Sequence, residues 1–276
     1  MLNNVTLGQY YPVDSPIHRL DPRVKLVLTI AFIVSVFLVK DASFPISSFI
    51  GYALLLGFII LVARLSRVPF KLLLKGLKPL RLIILITFIL NLFFTGGSVV
   101  WVEFWIIRIT REAFLQALCY SLRLVFLVSG TSLLTLTTSP IALADGIELL
   151  LTPLKKLRFP AHELAMMMTI ALRFIPTLLE ETDKIMKAQM ARGADFESGN
   201  LISRARSMVP LLVPLFVSAF RRAGDLAMAM ESRCYHGGEG RTRLRVLKIT
   251  RGDLLACGVV AVLIALIVVE GRFLPY

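Results

Sequence analysis

The chain lacks the sequence motifs by which proteins bind nucleotides or metal ions on their own. No Gly-x-x-x-x-Gly-Lys-Ser/Thr sequence occurs among its 276 residues, which excludes a P-loop. The three histidines and three cysteines are scattered, so they form no CxxC pair, no zinc-ligand spacing and no disulfide framework. His162-Glu163 opens like a zincin motif, but position 166 is methionine and the second ligand is missing. We therefore expect no catalytic residue, no metal site and no cofactor bound by this chain.

Acidic residues are also few, with 18 against 31 lysines and arginines, which gives a net charge of +13. In a soluble protein this excess would favour nucleic-acid binding. However, 57% of the residues are hydrophobic and the mean hydropathy is +0.77, above the composition of ordinary soluble domains. The cations lie between apolar runs, as in cytoplasmic loops of membrane proteins. The charge therefore indicates membrane topology and no nucleic-acid partner.

Five apolar runs approach the ~20 residues that a helix needs to cross a bilayer. They cover residues 24–39, 44–63, 80–94, 114–136 and 254–269. Basic residues cluster before the first run and between the second and third, whereas the other short connections carry little net charge. This distribution predicts a cytoplasmic N-terminus and a C-terminus on the far side. We expect an all-α integral membrane protein with about five transmembrane helices, four in a membrane domain at 1–138 and the last in 253–276.

Residues 139–252 contain two further apolar runs that do not suit a membrane span. The run at 164–179 carries Arg173 near its centre, which costs about 2.5–3.5 kcal/mol on insertion scales. The run at 208–220 is too short to cross. We interpret both as long amphipathic helices that lie along or under the membrane. A shorter helix precedes them, because Ser139-Pro140 is typical of a helix N-cap followed by the first helical residue.

Every methionine other than Met1 lies in this same segment. Methionine is flexible and polarizable, and it is common on surfaces that accept varied partners. The consecutive Met166, Met167 and Met168 are the densest group. Filling of gaps between packed helices is the alternative reading of these residues, and the sequence alone leaves both open.

Each of the two long helices ends in an arginine between two small residues, Ala191-Arg192-Gly193 in one and Ser232-Arg233-Cys234 in the other. An arginine at a helix C-terminus is commonly structural, because it binds free carbonyl groups there for about 0.3–1 kcal/mol. Here the same face recurs twice, since positions i, i+3 and i+7 of a helix lie together. The two faces are Ile185, Ala188, Arg192 and Leu226, Ala229, Arg233. Two matched tips indicate two matched sockets on a partner, in which a guanidinium could bind carboxylate or carbonyl oxygens.

At these residues the sequence resembles the transmembrane T proteins of energy-coupling factor (ECF) transporters, the EcfT/CbiQ family. The resemblance rests on Leu172-Arg173-Phe174-Ile175-Pro176, on Glu180-Glu181 and on Ala188-Gln189-x-Ala191-Arg192-Gly193. The start, with His18-x-Leu20-Asp21-Pro22-Arg23, is similar too, so that nearly the whole chain is covered. The chain differs from the family pattern at the second tip, where family members often repeat Ala-Arg-Gly and this chain has Ser232-Arg233-Cys234.

The resemblance implies a role as a coupling subunit in the cell membrane of a prokaryote. The T protein joins two cytoplasmic ABC-type ATPases, which bind ATP and Mg, to a small membrane S subunit that captures a vitamin or metal ion. Residues 139–252 would then be a cytoplasmic-side coupling domain of one short and two long crossing helices, each arginine tip entering a groove of one ATPase. The implied ATPase-docking residues are Ala188, Ala191, Arg192, Gly193, Ala229, Ser232, Arg233 and Cys234. The implied S-subunit-facing residues are Met166, Met167 and Met168.

Two other classes of function compete with this interpretation. A stand-alone secondary transporter would need polar coordinating groups inside its spans and usually a repeated span architecture. An integral membrane lipid enzyme could hold headgroups with its basic loops, but it would need an acidic metal cluster or another catalytic constellation. The sequence offers neither pattern, and it favours a subunit that transmits motion.

Overall fold

The computed structural model describes residues 10–39, 45–96, 100–104, 107–153, 160–194, 196, 200–237 and 247–273. These residues divide into two compact units. The first comprises the described parts of Gly8–Gly146 and Leu247–Tyr276, and the second those of Ile147–Val246. The domain borders predicted from the sequence, at 138/139 and 252/253, are not tested by this division and stay predictions.

The described chain is helical except for one hairpin. The first unit contains α1 (Pro22–Leu38), α2 (Pro45–Ser66), α3 (Phe70–Leu77), a 3-10 turn (Lys78–Leu80), α4 (Arg81–Phe94), β1 (Val100–Phe104), β2 (Ile107–Thr110), α5 (Arg111–Thr137) and α9 (Arg251–Phe273). The short α6 (Pro140–Leu151) runs across the division, and the second unit holds α7 (Ala161–Ala191) and α8 (Leu201–Glu231). Ser139 Oγ accepts a hydrogen bond from Ala142 N at 3.3 Å, which confirms the predicted N-cap of α6.

Within the described ranges, five helical stretches are long and apolar enough to cross a membrane: Phe49–Ser66, Phe70–Phe94, Arg111–Thr137, His162–Ala191 and Arg251–Gly271. The all-α membrane fold is thereby confirmed, although the set differs from the predicted one. At 17 residues, α1 is only about 25 Å long, short of the ~30 Å hydrocarbon core. The third stretch begins at Phe70, because Pro79 lies in a 3-10 turn that continues the helix. The stretch in α7 qualifies by length and composition alone, and Arg173 within it still weighs against a crossing.

The hairpin of β1 and β2 was not predicted. The strands pair antiparallel, with Glu103 opposite Arg108 and Phe104 opposite Ile107. The sequence predicted only a loop of low net charge in this segment. Strands this short show little periodicity, so the alternation typical of a hairpin was not visible.

The core of the first unit lies between α1, α2, α5 and α9. Its most deeply buried apolar residues include Val36, Leu55 and Ile267, which are at most 2% exposed. A β-carbon on Gly130 of α5 would lie 2.5 Å from the Phe32 ring of α1. The missing side chain at Gly130 therefore allows α1 and α5 to pack closely, as small residues do between membrane helices.

A network of buried charges joins the first turns of α1 and α9. Asp253 is completely buried, and its carboxylate accepts hydrogen bonds from Asp21 N (2.8 Å), Thr250 N (2.6 Å) and Thr250 Oγ1 (2.8 Å). The bond from Thr250 N to the Asp253 carboxylate caps the start of α9 in the way that the acidic residue of a capping box does. Asp21 in turn caps α1 and accepts two hydrogen bonds from the Arg23 guanidinium, which lowers the pKa of the Asp21 carboxyl. Lys25 Nζ donates to the His18 and Thr137 carbonyls, at 3.1 and 2.9 Å.

We predict that Asp253→Asn destabilises the first unit by about 1–3 kcal/mol. An amide has one acceptor oxygen and must turn its NH2 group towards one of the N–H groups that now bind the carboxylate. Thermal unfolding of the full chain in mild detergent should therefore occur at a lower midpoint. The exposed Asp225 of α8 provides the matched control as Asp225→Asn, and equal midpoints for the two variants would contradict the prediction.

Candidate functional site

The second unit is built on α7 and α8, each of 31 residues and about 46 Å long. Among the described residues, a polar contact about two thirds of the way along α7 joins the two helices. Glu181 accepts hydrogen bonds from Ser218 Oγ (2.5 Å) and from Arg222 Nη2 and Nε (2.7 and 3.2 Å). The guanidinium and Ser218 thus use both carboxylate oxygens, a strong charge-assisted arrangement. Glu181 belongs to the Glu180-Glu181 pattern singled out in the sequence, whereas Arg222 had not been predicted to matter.

The first tip, at the end of α7, is a Schellman motif. Gly193 has a φ of +88°, its N–H donates to the Met190 carbonyl, and Ala194 N donates to the Gln189 carbonyl, both at 3.0 Å. This pair of hydrogen bonds ends a helix by turning the chain through one left-handed residue. A β-carbon on Gly193 would meet nothing within 4 Å. Glycine therefore suits this position because of its backbone conformation rather than because of crowding.

The second tip, at the end of α8, has the same hydrogen bonds. Cys234 N donates to the Glu231 carbonyl at 2.9 Å and Tyr235 N to the Met230 carbonyl at 3.1 Å. Cys234 takes the left-handed place of glycine with a φ of +55°, a conformation that costs a non-glycine residue on the order of 1–2 kcal/mol. The departure from Ala-Arg-Gly thus changes the residue and keeps the geometry.

Each arginine directly precedes the left-handed residue, so that the two occupy equivalent positions. All eight residues predicted to dock are exposed. Within the described parts of the chain, neither Arg192 nor Arg233 places its guanidinium in a hydrogen bond or ion pair. The structural alternative, in which the side chain binds the last carbonyls of its own helix, is therefore not what the described residues show.

The two tips also lie equally far from the contact between the helices. Eleven residues separate Glu181 from Arg192, and eleven separate Arg222 from Arg233. At 1.5 Å per residue, each arginine stands about 16 Å along its helix from the Glu181–Arg222 pair. The two helix ends are therefore arranged nearly symmetrically about the Glu181–Arg222 pair.

The N-terminal halves of both helices expose apolar side chains. In α7, Met167 and Met168 are 56% and 43% exposed, while Met166 is half-buried. In α8, seven exposed apolar residues follow one another at i, i+4 spacing, a surface we call the α8 stripe. They are Met208, Val209, Leu212, Val213, Phe216, Val217 and Phe220. Sequence reasoning placed this run in an amphipathic helix along or under the membrane but did not single out its exposed residues, although their helical spacing was a visible sign of a continuous face.

His162, which opens the zincin-like sequence, contacts α6. Its Nδ1 lies 3.0 Å from an oxygen of the buried Glu148 carboxylate, a contact between α6 and α7. Among the described residues, no group of three or more histidine, cysteine, aspartate or glutamate side chains is placed to hold a metal ion.

Comparison with known proteins gives the family of this chain. The family model CbiQ, described as "Cobalt transport protein", matches residues 14–244. Proteins named "Energy-coupling factor transporter transmembrane protein EcfT" are similar over almost their whole length. That of Thermosediminibacter oceani is 59% identical over 95% of this chain and 97% of its own. Those of Clostridium kluyveri and Bacillus subtilis are 54% and 51% identical, each over 97% of this chain and over 97% and 98% of their own. The chain thus belongs to the EcfT/CbiQ family, and it is a multi-pass transmembrane component of a bacterial energy-coupling factor transporter.

Proposed function

We propose that this chain couples two ABC-type ATPases to a membrane substrate-binding S subunit in the uptake of a vitamin or metal ion. The observation that carries the proposal is the pair of matched tips. Both arginines are exposed and have no partner among the described residues, and each lies in the same Schellman geometry at the end of its helix. This suits two copies of one kind of socket. The ATPases bind ATP and Mg, and the S subunit selects the substrate.

The proposal includes a cytoplasmic location for the N-terminus and the second unit, which the basic connections support. The positive-inside rule supports this orientation, because Arg64, Arg67, Lys71, Lys75, Lys78 and Arg81 lie between or beside the second and third predicted spans. Soluble ATPases are reached only from that side.

Both long helices carry their features in the same order. Most of the exposed apolar face comes first, the contact of Glu181 with Ser218 and Arg222 follows, and the arginine tip is last. The apolar face suits a membrane partner with an apolar helix, because helix-in-groove binding is made through apolar residues at i, i+3 and i+4 of one helix. A movement imposed on one tip is carried along a continuous helix to the contact between the helices, and from there to the apolar faces.

We expect Arg192→Ala and Arg233→Ala each to weaken binding of one ATPase, by about 2 kcal/mol if the arginine is an interface hot spot. The double variant should lose both ATPases and substrate uptake. Membrane insertion should be unchanged, because both side chains are exposed. Co-purification of the ATPases in mild detergent and uptake in cells measure the two effects, and normal uptake by the double variant would refute the socket role.

The alanine beside each tip should be needed because it is small. Ala229 lies four residues before Arg233, on the same face, so Ala229→Phe should block docking at that tip by steric overlap. Ala227 is also an exposed alanine of α8, but it faces another direction, and Ala227→Phe is the matched control. ATPase yield in co-purification should fall several-fold only for Ala229→Phe; an equal yield for both would show that no groove encloses this face.

The exposed apolar faces should bind the S subunit. Phe216→Glu in the α8 stripe and Met167→Glu in α7 each place a charge where apolar contact is expected, and burying it there is costly. These variants should release the S subunit while both ATPases still co-purify. Loss of all partners together would instead indicate misfolding of the second unit, and retention of the S subunit would move its site elsewhere.

The proposal as a whole is tested by purifying the tagged chain from its native membrane and identifying its partners by mass spectrometry. Two ATPase chains and one or more small membrane proteins are expected. A chain that is isolated alone and that transports substrate in liposomes would support a secondary transporter.

A further inference from the structure

A cleft lined by both polar and apolar residues lies beside the C-terminal end of α2 and the N-terminal end of α9. It encloses about 480 Å³, and its lining includes Asp14, Arg19, Leu20, Arg67, Thr250 and Gly252. The candidate span in α2 ends at Ser66 and the one in α9 begins at Arg251. The cleft therefore lies at the depth where a bilayer changes from hydrocarbon to headgroups.

The cleft carries an uncompensated positive charge. Arg19 is paired with Asp14 through two hydrogen bonds of 2.8 and 2.6 Å, so these two charges balance. Arg67 lies 3.5 Å from the Asp14 carbonyl oxygen, and among the described residues it forms no ion pair. Its position is fixed by a Schellman motif at the end of α2, where Arg67 has a φ of +55° and Val68 N donates to the Ala63 carbonyl.

An apolar cavity adjoins the cleft, and Leu20 lines both. The cavity holds about 150 Å³ between α1, α2, α5 and α9, and its floor includes the buried Phe32, Ile59 and Leu133. Its mouth is formed by exposed residues of the membrane helices α2 and α9, among them Leu61 and Val259, each 46% exposed.

One charge at the polar end of the cavity is already engaged. Lys25 also lines the cavity, but its ammonium group binds the His18 and Thr137 carbonyls. The cavity therefore presents an apolar surface to an occupant, and the positive charge available to it is that of Arg67 in the cleft.

We propose that the cleft and cavity together bind one anionic phospholipid. Arg67 contacts the phosphate at the headgroup level, and one acyl chain enters the apolar cavity between α2 and α9. A soluble phosphate would use only the cationic half of the site, and a lipid without net charge only the apolar half. The cationic and apolar halves of the site meet at Leu20, at the membrane boundary. This favours a ligand that has both an anionic headgroup and an acyl chain.

The proposal is tested by native mass spectrometry of the full chain in mild detergent. The probes are phosphatidylglycerol, phosphatidylcholine with the same acyl chains, and glycerol 3-phosphate. One phosphatidylglycerol should bind several-fold more tightly than phosphatidylcholine, and glycerol 3-phosphate should not bind at the same concentration. Equal affinity for the two lipids, or saturation by glycerol 3-phosphate, would overturn the proposal.

Two pairs of variants locate the site. Arg67→Asn removes the charge with a residue that tolerates a left-handed backbone, and it should weaken phosphatidylglycerol binding about fivefold. Lys71→Asn, which removes a nearby exposed charge at the start of α3 that does not line the cleft, is the control. Leu61→Trp should obstruct the mouth of the cavity, whereas Leu56→Trp changes an exposed α2 residue that does not line it. Equal effects within either pair would refute the site. The test needs no ATPase or S subunit, so its failure is distinct from failure of the coupling role.

Discussion

The arrangement of α7 and α8 depends on the contact of Glu181 with Ser218 and Arg222. The second unit has almost no core of its own: of its described residues, only Glu148 and Ala165 are buried. Apolar packing alone would let two such helices slide past each other, because it is not directional. A carboxylate that accepts three hydrogen bonds fixes one register, and this register places both arginines at the same distance from the contact.

The first unit is stabilised in a different way. Its apolar core is enclosed by α1, α2, α5 and α9, and Asp253 ties the first turns of α1 and α9 together. Within the second unit, the apolar faces of α7 and α8 remain largely exposed. This contrast fits a subunit with a self-supporting membrane part and a second part whose final packing is completed by its partners.

Local signals predicted those features that depend on neighbours in sequence. The N-cap at Ser139 and the helix ends at the two tips depend on a few adjacent residues, and both were visible in advance. The Glu181–Arg222 pair was not, because it joins residues 41 positions apart and a single sequence gives no sign of such a pairing. The hairpin was missed because its strands are short.

The left-handed residue gives the proposed docking role of the helix ends a structural basis. Had α7 continued past Arg192, the next turn of helix would stand beside the guanidinium and hinder a socket from closing around it. The Schellman motif instead turns the chain away directly behind the arginine, so that the side chain marks the end of the helix. Glycine is the usual residue at that turn, but the requirement is a positive φ, and Cys234 satisfies it with a small side chain. Conformation, more than residue identity, therefore makes Ser232-Arg233-Cys234 the counterpart of Ala191-Arg192-Gly193.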